Sequence, residues 1–102
     1  MQIGFDVGAT KIESVVLEDT GQESFRERKE CPKEYNSIIS NIVEITKKLE
    51  TKLNKSLPVG VCHPGVHSPQ TGLIKNAPNC YWIEKKPFQK DLREALGKEV
   101  FC

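Results

Sequence analysis

Polar and apolar residues alternate from the first residues of the chain. Across Gln2 to Val7, Ile3, Phe5 and Val7 fall on one side and Gly4 and Asp6 on the other, the two-residue period of a strand. Gly8-Ala9-Thr10-Lys11 is short and small and predicts a tight turn. Ile12 to Leu17 predicts a second strand, and Asp19-Thr20-Gly21 a second turn. Gln22 to Glu30 is a third, mostly polar run, which suits a sheet edge. After Cys31-Pro32 the period lengthens. Tyr35, Ile38, Ile39, Ile42, Ile45, Leu49 and Leu53 recur at three- and four-residue spacing, which predicts a helix over 35–53, ended by Asn54-Lys55-Ser56. Pro58 to Cys62 reads as a short buried strand. Residues 63–87 are rich in Pro and Gly, with a small hairpin or short strand at Thr71–Ile74. Pro87 to Leu96 predicts a second helix with Phe88, Leu92, Ala95 and Leu96 on its apolar face and Gly97 as its cap. Glu99 to Cys102 opens one more strand. The order β-β-β-α-β-α-β predicts an α/β fold: a meander followed by crossovers, forming a mixed sheet with helices packed on it.

Composition narrows the class. The chain has 102 residues, enough for one domain or part of one, with 15 Lys and Arg against 14 Asp and Glu and a net charge of +1. So balanced a charge argues against steering onto DNA or an anionic membrane. No apolar run approaches the ~20 residues that span a bilayer. Met1-Gln2-Ile3-Gly4 lacks the basic start and long apolar stretch of a secretory signal, so the expected compartment is the cytoplasm. Cys31, Cys62, Cys80 and Cys102 form no C-x-x-C pair, and free thiols acting as small hydrophobes are expected.

Three segments carry candidate chemistry. In Gly4-Phe5-Asp6-Val7-Gly8-Ala9-Thr10-Lys11 an acid ends a strand and a small turn follows. Neither the P-loop nor the dinucleotide fingerprint is present. The turn still suits phosphate. Gly8 lets an anion approach the backbone, the amides of Ala9, Thr10 and Lys11 can converge as a nest, and Thr10 and Lys11 add donors. Asp6 would repel phosphate unless a cation stood between them, which implies Mg²⁺. An ordinary hairpin bearing a surface acid is the alternative for the same residues. In Cys62-His63-Pro64-Gly65 a buried strand runs into a sharp corner, where α/β sheets usually hold ligands. His63 and His67 flank that corner as potential bases or ligands, or as ordinary loop histidines. In Asn76-Ala77-Pro78-Asn79-Cys80-Tyr81-Trp82 the asparagines suit hydroxyl groups and Trp82 offers a face to a sugar ring or an anchor to the core.

Taken in order along one chain, these segments resemble the ROK family of repressors, open reading frames and sugar kinases. The resemblance rests on Asp6-Val7-Gly8-Ala9-Thr10-Lys11, on Cys62-His63-Pro64-Gly65, on Pro69 to Ala77 with its Thr71-Gly72 and Asn76-Ala77, and on Trp82 with Pro87 to Leu92. It is nearest the fructokinase and N-acetylhexosamine kinase branch. It implies the actin-like, ribonuclease-H-like ATPase fold, with residues 1–102 as an N-terminal lobe whose last strand is truncated. It also implies ATP-dependent phosphorylation of a hexose. By carry-over, Gly4, Asp6, Gly8, Ala9, Thr10 and Lys11 would line the ATP phosphates, with Asp6 serving Mg²⁺ through water. Gly65, Asn76 and Asn79 would face the sugar.

Cys62 and His63 depart from the small or apolar residues usual in that corner, which bears on sugar choice. The resemblance places the general-base Asp beyond Cys102, so no catalytic base is expected here and the fragment alone should be inactive. A zinc motif, where the family has one, would also lie beyond Cys102. The expected partners are a sugar and ATP, with a homodimer for the full-length protein and neither nucleic acid nor membrane. The alternative is a sugar-responsive ROK regulator or a non-catalytic sugar-binding remnant.

Overall fold

The alternation in the first strand is the reason that the sheet has two unlike faces. In the computed structural model, which describes residues 1–102, β1 (Gln2–Val7) buries Ile3, Phe5 and Val7 and leaves Gly4 and Asp6 on the opposite side. β2 (Lys11–Leu17) pairs antiparallel with β1 and buries Ile12, Ser14 and Val16. β3 (Glu23–Glu30) pairs antiparallel with β2. As its composition predicts, β3 lies at the edge, where its dense charge discourages pairing with another chain.

α1 (Tyr35–Leu53) buries Ile38, Ile42, Ile45 and Leu49. Thr46, which the apolar spacing passes over, is buried among them because its hydroxyl donates to the Ile42 carbonyl at 2.8 Å. The Glu34 carboxylate accepts from the Ser37 amide at 2.7 Å to cap the first turn, and Asn54 ends the helix in the left-handed region at φ 55°. The chain then enters β4 (Val59–Cys62), parallel to β1 on the side away from β2. β5 (Val66–His67) and β6 (Ile74–Lys75) form a two-stranded hairpin, and a 3₁₀ turn follows at Pro78–Cys80. α2 (Phe88–Leu96) buries Phe88 and Leu92, and Gly97 closes it at φ 67°. Ala95, which the spacing assigns to the buried face, is exposed. β7 (Val100–Phe101) lies parallel to β4.

The five-stranded sheet therefore runs β3-β2-β1-β4-β7. Residues of α1 and α2 share one core with Ile3, Phe5, Val7, Val59, Val61 and Val100 from the sheet. The mixed α/β architecture predicted from the sequence is the one observed. At the far end of the core, Lys98 pairs with Glu50 and donates to the Ser56 hydroxyl and the Leu57 carbonyl, each at 2.9 Å. The Glu50 carboxylate also accepts from the Leu57 amide at 2.7 Å. This cluster fastens the end of α1 to the approaches of β4 and β7.

Candidate functional site

β1 and β4 are parallel neighbours, so their carboxyl ends lie together. Asp6 and Cys62 face each other in register, and the turn after β1 and the corner after β4 leave the same edge of the sheet. This is the edge at which α/β sheets hold ligands. On the face without helices, Gly4, Asp6, Glu13, Gly60, Cys62 and Phe101 help line an open cavity of 530 Å³.

Asp6 is exposed and makes no ion pair or side-chain hydrogen bond within the chain. Its cross-strand neighbour on β2 is Glu13. Two arginines of β3 hold Glu13 instead: Arg28 Nε donates to it at 2.6 Å and Arg26 donates from its other side at 2.6 Å. The hydrogen bond from Arg28, against a smaller opposing effect of desolvation, keeps the Glu13 carboxyl below its ordinary value. The basic side chains of β3 are thus engaged by other acids, Arg28 by Glu13, Arg26 by Glu13 and Glu23, and Lys29 by Glu27, and none pairs with Asp6.

The turn after Asp6 is pinned from both sides. The Gly8 amide donates to the Lys11 carbonyl at 2.8 Å, and the Cys31 amide donates to the Thr10 carbonyl at 2.8 Å. The amides of Ala9 and Thr10 donate to no protein acceptor. A Cβ on Gly8 would stand 3.3 Å from the Lys11 carbonyl oxygen, so a side chain there would press on the turn itself. Thr10 and Lys11 are exposed. The loop therefore offers unpaired amides, a hydroxyl and an ammonium group beside a free carboxylate.

The corner after β4 and the asparagine loop form one unit. Gly65 sits at φ 74°, and a Cβ there would lie 2.3 Å from the Lys75 carbonyl oxygen and 3.2 Å from the Asn76 carbonyl oxygen. Only glycine permits that contact. Asn76 itself is left-handed at φ 62° and exposed. The next amide, of Ala77, donates to the Glu84 carboxylate at 2.8 Å. Asn79 is exposed in the 3₁₀ turn. Trp82 packs against the core and stacks edge-on with Tyr81 at 5.0 Å, so the anchoring reading of this residue holds. Its Nε1 is buried without a hydrogen-bond partner.

The histidines are not isolated loop residues. Their rings meet edge-on at 4.7 Å, and His63 also meets Phe88 at 5.6 Å. His63 Nδ1 lies 2.9 Å from the Pro64 carbonyl, and the Gln89 amide donates to His67 Nε2 at 3.3 Å. Burial first, then the nearby His63 and Arg93, lower the His67 pKa. The sequence places no second cluster of metal ligands near them. The fold supplies Cys102, because β7 ends beside β4. Ligand atoms of His63, His67 and Cys102 all lie within 4.8 Å of one another. The separation of about forty residues hid this grouping. Of the other thiols, Cys31 and Cys80 are buried, and burial pushes the Cys80 thiol up to about 11, so both act as the small hydrophobes expected.

Comparison with known proteins identifies the family and the fold. The ROK family profile matches residues 2–102. The chain belongs to the ROK family. It is 39% identical over 101 residues to the N-acetyl-D-glucosamine kinase of Mannheimia succiniciproducens, covering 98% of this chain and 33% of that relative. The ROK hexokinase of Thermus thermophilus superposes with a TM-score of 0.80 at 25% identity, over 98% of this chain and 33% of that one. A ROK family transcriptional regulator, homologous to the MLC protein of E. coli, shares the fold alone, with a TM-score of 0.75 at 11% identity over 98% of this chain and 26% of that one. The actin-like ATPase architecture of the ROK sugar kinases is therefore that of this chain, which spans about a third of the length of the curated relatives it matches. No helix of the chain is long and apolar enough to cross a membrane.

Proposed function

We propose that these residues form the phosphate- and sugar-binding lobe of a cytoplasmic kinase that transfers phosphate from ATP to a hexose or N-acetylhexosamine. The observation that carries the reading is the unpaired Asp6 carboxylate beside the unbonded amides of Ala9 and Thr10. Phosphoryl transfer depends on positioning and charge stabilisation more than on covalent chemistry by the protein. A turn with free N–H groups, the Thr10 hydroxyl and the Lys11 ammonium is suited to holding phosphate oxygens. Gly4 and Gly8 keep side chains away from the phosphates. An acid in that setting would repel ATP by itself, and a Mg²⁺ ion removes the conflict. Asp6, free of any protein cation, fits that role, directly or through water. When bound, Mg²⁺ neutralises charge on the phosphate oxygens.

For the sugar, the exposed Asn76 and Asn79 supply donors and acceptors that match hydroxyl and acetamido groups. Gly65 borders the sugar and fixes the Asn76 loop by close backbone contact. The relatives named N-acetyl-D-glucosamine kinase favour the N-acetylhexosamine as substrate. The base that takes the proton of the attacking hydroxyl comes from chain beyond these residues, and the whole enzyme works as a homodimer.

The test is a coupled assay of ADP release by the intact protein carrying this lobe, with N-acetylglucosamine, N-acetylmannosamine, glucose, mannose and fructose. N-acetylglucosamine should be turned over best. Asp6→Asn should lower turnover by roughly 100-fold or more, while stability changes by less than about 0.5 kcal/mol because Asp6 makes no protein contact to lose. Absence of turnover with every sugar would refute the kinase, and an unaffected Asp6→Asn enzyme would refute the Mg²⁺ role. Sugar binding without turnover would favour the regulator.

A further inference from the structure

We propose that His63, His67 and Cys102 form a binding site for a borderline-soft divalent cation of the Zn²⁺ class, at the carboxyl ends of β4 and β7. The parallel pairing of these strands delivers the three residues to one place: His63 directly follows β4, His67 ends β5, and Cys102 directly follows β7. One ligand atom from each lies within 4.8 Å of the other two. Zn–N and Zn–S bonds of about 2.1 and 2.3 Å at tetrahedral angles place ligand atoms roughly 3.3–3.7 Å apart, so closure on a metal needs a shift of about 1 Å. The His63 and His67 side chains are half-buried, so their rings are held by the packing around them.

The surroundings favour this use. A proton on His63 Nδ1 can be donated to the Pro64 carbonyl at 2.9 Å, which leaves Nε2 free to ligate and fixes the ring, the outer contact typical of metal-bound histidines. Phe88 braces the same ring from its edge at 5.6 Å. The contact from the Gln89 amide to His67 Nε2 is long at 3.3 Å and yields readily. Arg93, whose charge acts on His67, is paired with Glu99, which offsets its repulsion of an incoming metal. Two imidazoles and one thiolate match the nitrogen and sulfur preferences of Zn²⁺ and leave a fourth position for water. Binding releases the thiol proton of Cys102 to solvent as the metal–sulfur bond forms, with no change of oxidation state. The proposal draws on neither nucleotide nor sugar, although His63 shares its corner with Gly65, which the kinase reading places beside the sugar.

Cobalt(II) is the probe, because a thiolate ligand gives it a charge-transfer absorption that nitrogen and oxygen ligands do not. Titration of the protein should develop that band. The difference spectrum between wild type and Cys102→Ser should contain one equivalent of it, which removes any contribution from other thiolates. His67→Ala should weaken binding by about tenfold or more. Far-UV circular dichroism checks that each variant is folded, and Cys102→Ser, which removes only the thiolate ligand, is the variant on which the decision rests. A band unchanged in Cys102→Ser, a band lost instead in Cys62→Ser, or no band at all would each overturn the proposal.

Discussion

Replacement of Gly65 by Ala tests the contact that joins the strand-end corner to the asparagine loop. Two costs arise there and can be separated. The first is conformational: φ is 74°, and an L side chain in the left-handed region costs about 1 kcal/mol. The second is steric, because the new Cβ would stand 2.3 Å from the Lys75 carbonyl oxygen, and forcing atoms into packed space costs about 1–3 kcal/mol. The neighbour is backbone, tied through Lys75 to β5 and through Ala77 to Glu84, so it yields less readily than a side-chain tip. Gly72 supplies the control. It has nearly the same φ, 72°, and no atom within 4 Å of a Cβ. Gly72→Ala should therefore cost about 1 kcal/mol and Gly65→Ala about 2–4 kcal/mol. In thermal melts, at roughly 4–8 °C per kcal/mol for a domain of this size, the two should be clearly resolved. Urea denaturation of both variants and wild type gives the free energies directly. Equal losses within about 0.5 kcal/mol would refute the steric argument and with it the fixed spacing of Gly65 and Asn76.

Lys98→Met should cost about 1–2 kcal/mol at neutral pH by urea denaturation, since it strands the part-buried Glu50 carboxylate. Burial pushes the Glu50 pKa up, but the Lys98 hydrogen bond and its other partners outweigh this and leave it below the usual carboxylate range. The pair thus stabilises the fold above that range, and the gap between variant and wild type should narrow as pH falls to about 3; a gap that widens would refute this assignment. Ile42→Ala removes a side chain with no exposed surface from the α1 face and should cost about 3 kcal/mol in the same assay; a loss under about 1 kcal/mol would show that α1 does not pack as described.

The sheet and helices were legible because their patterns are local. Ile3, Phe5 and Val7 announce β1, and the seven apolar positions from Tyr35 to Leu53 announce α1, each from neighbours a few residues apart. β5 was not legible: two residues, Val66 and His67, show no period, and only their pairing with Lys75 and Ile74 defines a strand. Ser14 and Thr46 were missed as buried positions because polarity marks them as surface, although Thr46 satisfies its hydroxyl on its own helix. In the candidate site, the Asp6 turn could be read because its groups are contiguous. The constraint on Gly65 could not, because the oxygen it accommodates belongs to a residue ten positions away. The grouping of Cys102 with the two histidines depends entirely on β4 and β7 lying side by side.

Under the proposed kinase function, the interlock between Gly65 and the backbone at 75–77 would limit how substrate preference can evolve or be redesigned. Grafting the asparagine segment alone from a relative would import a loop contoured for a different corner, and exchanging the corner alone would leave the recipient segment without its seat. Chimeras that exchange residues 63–84 as a block keep both halves of the joint, so if the loop faces a sugar as proposed, retuning should succeed by transplanting the whole block rather than by accumulating single changes within it.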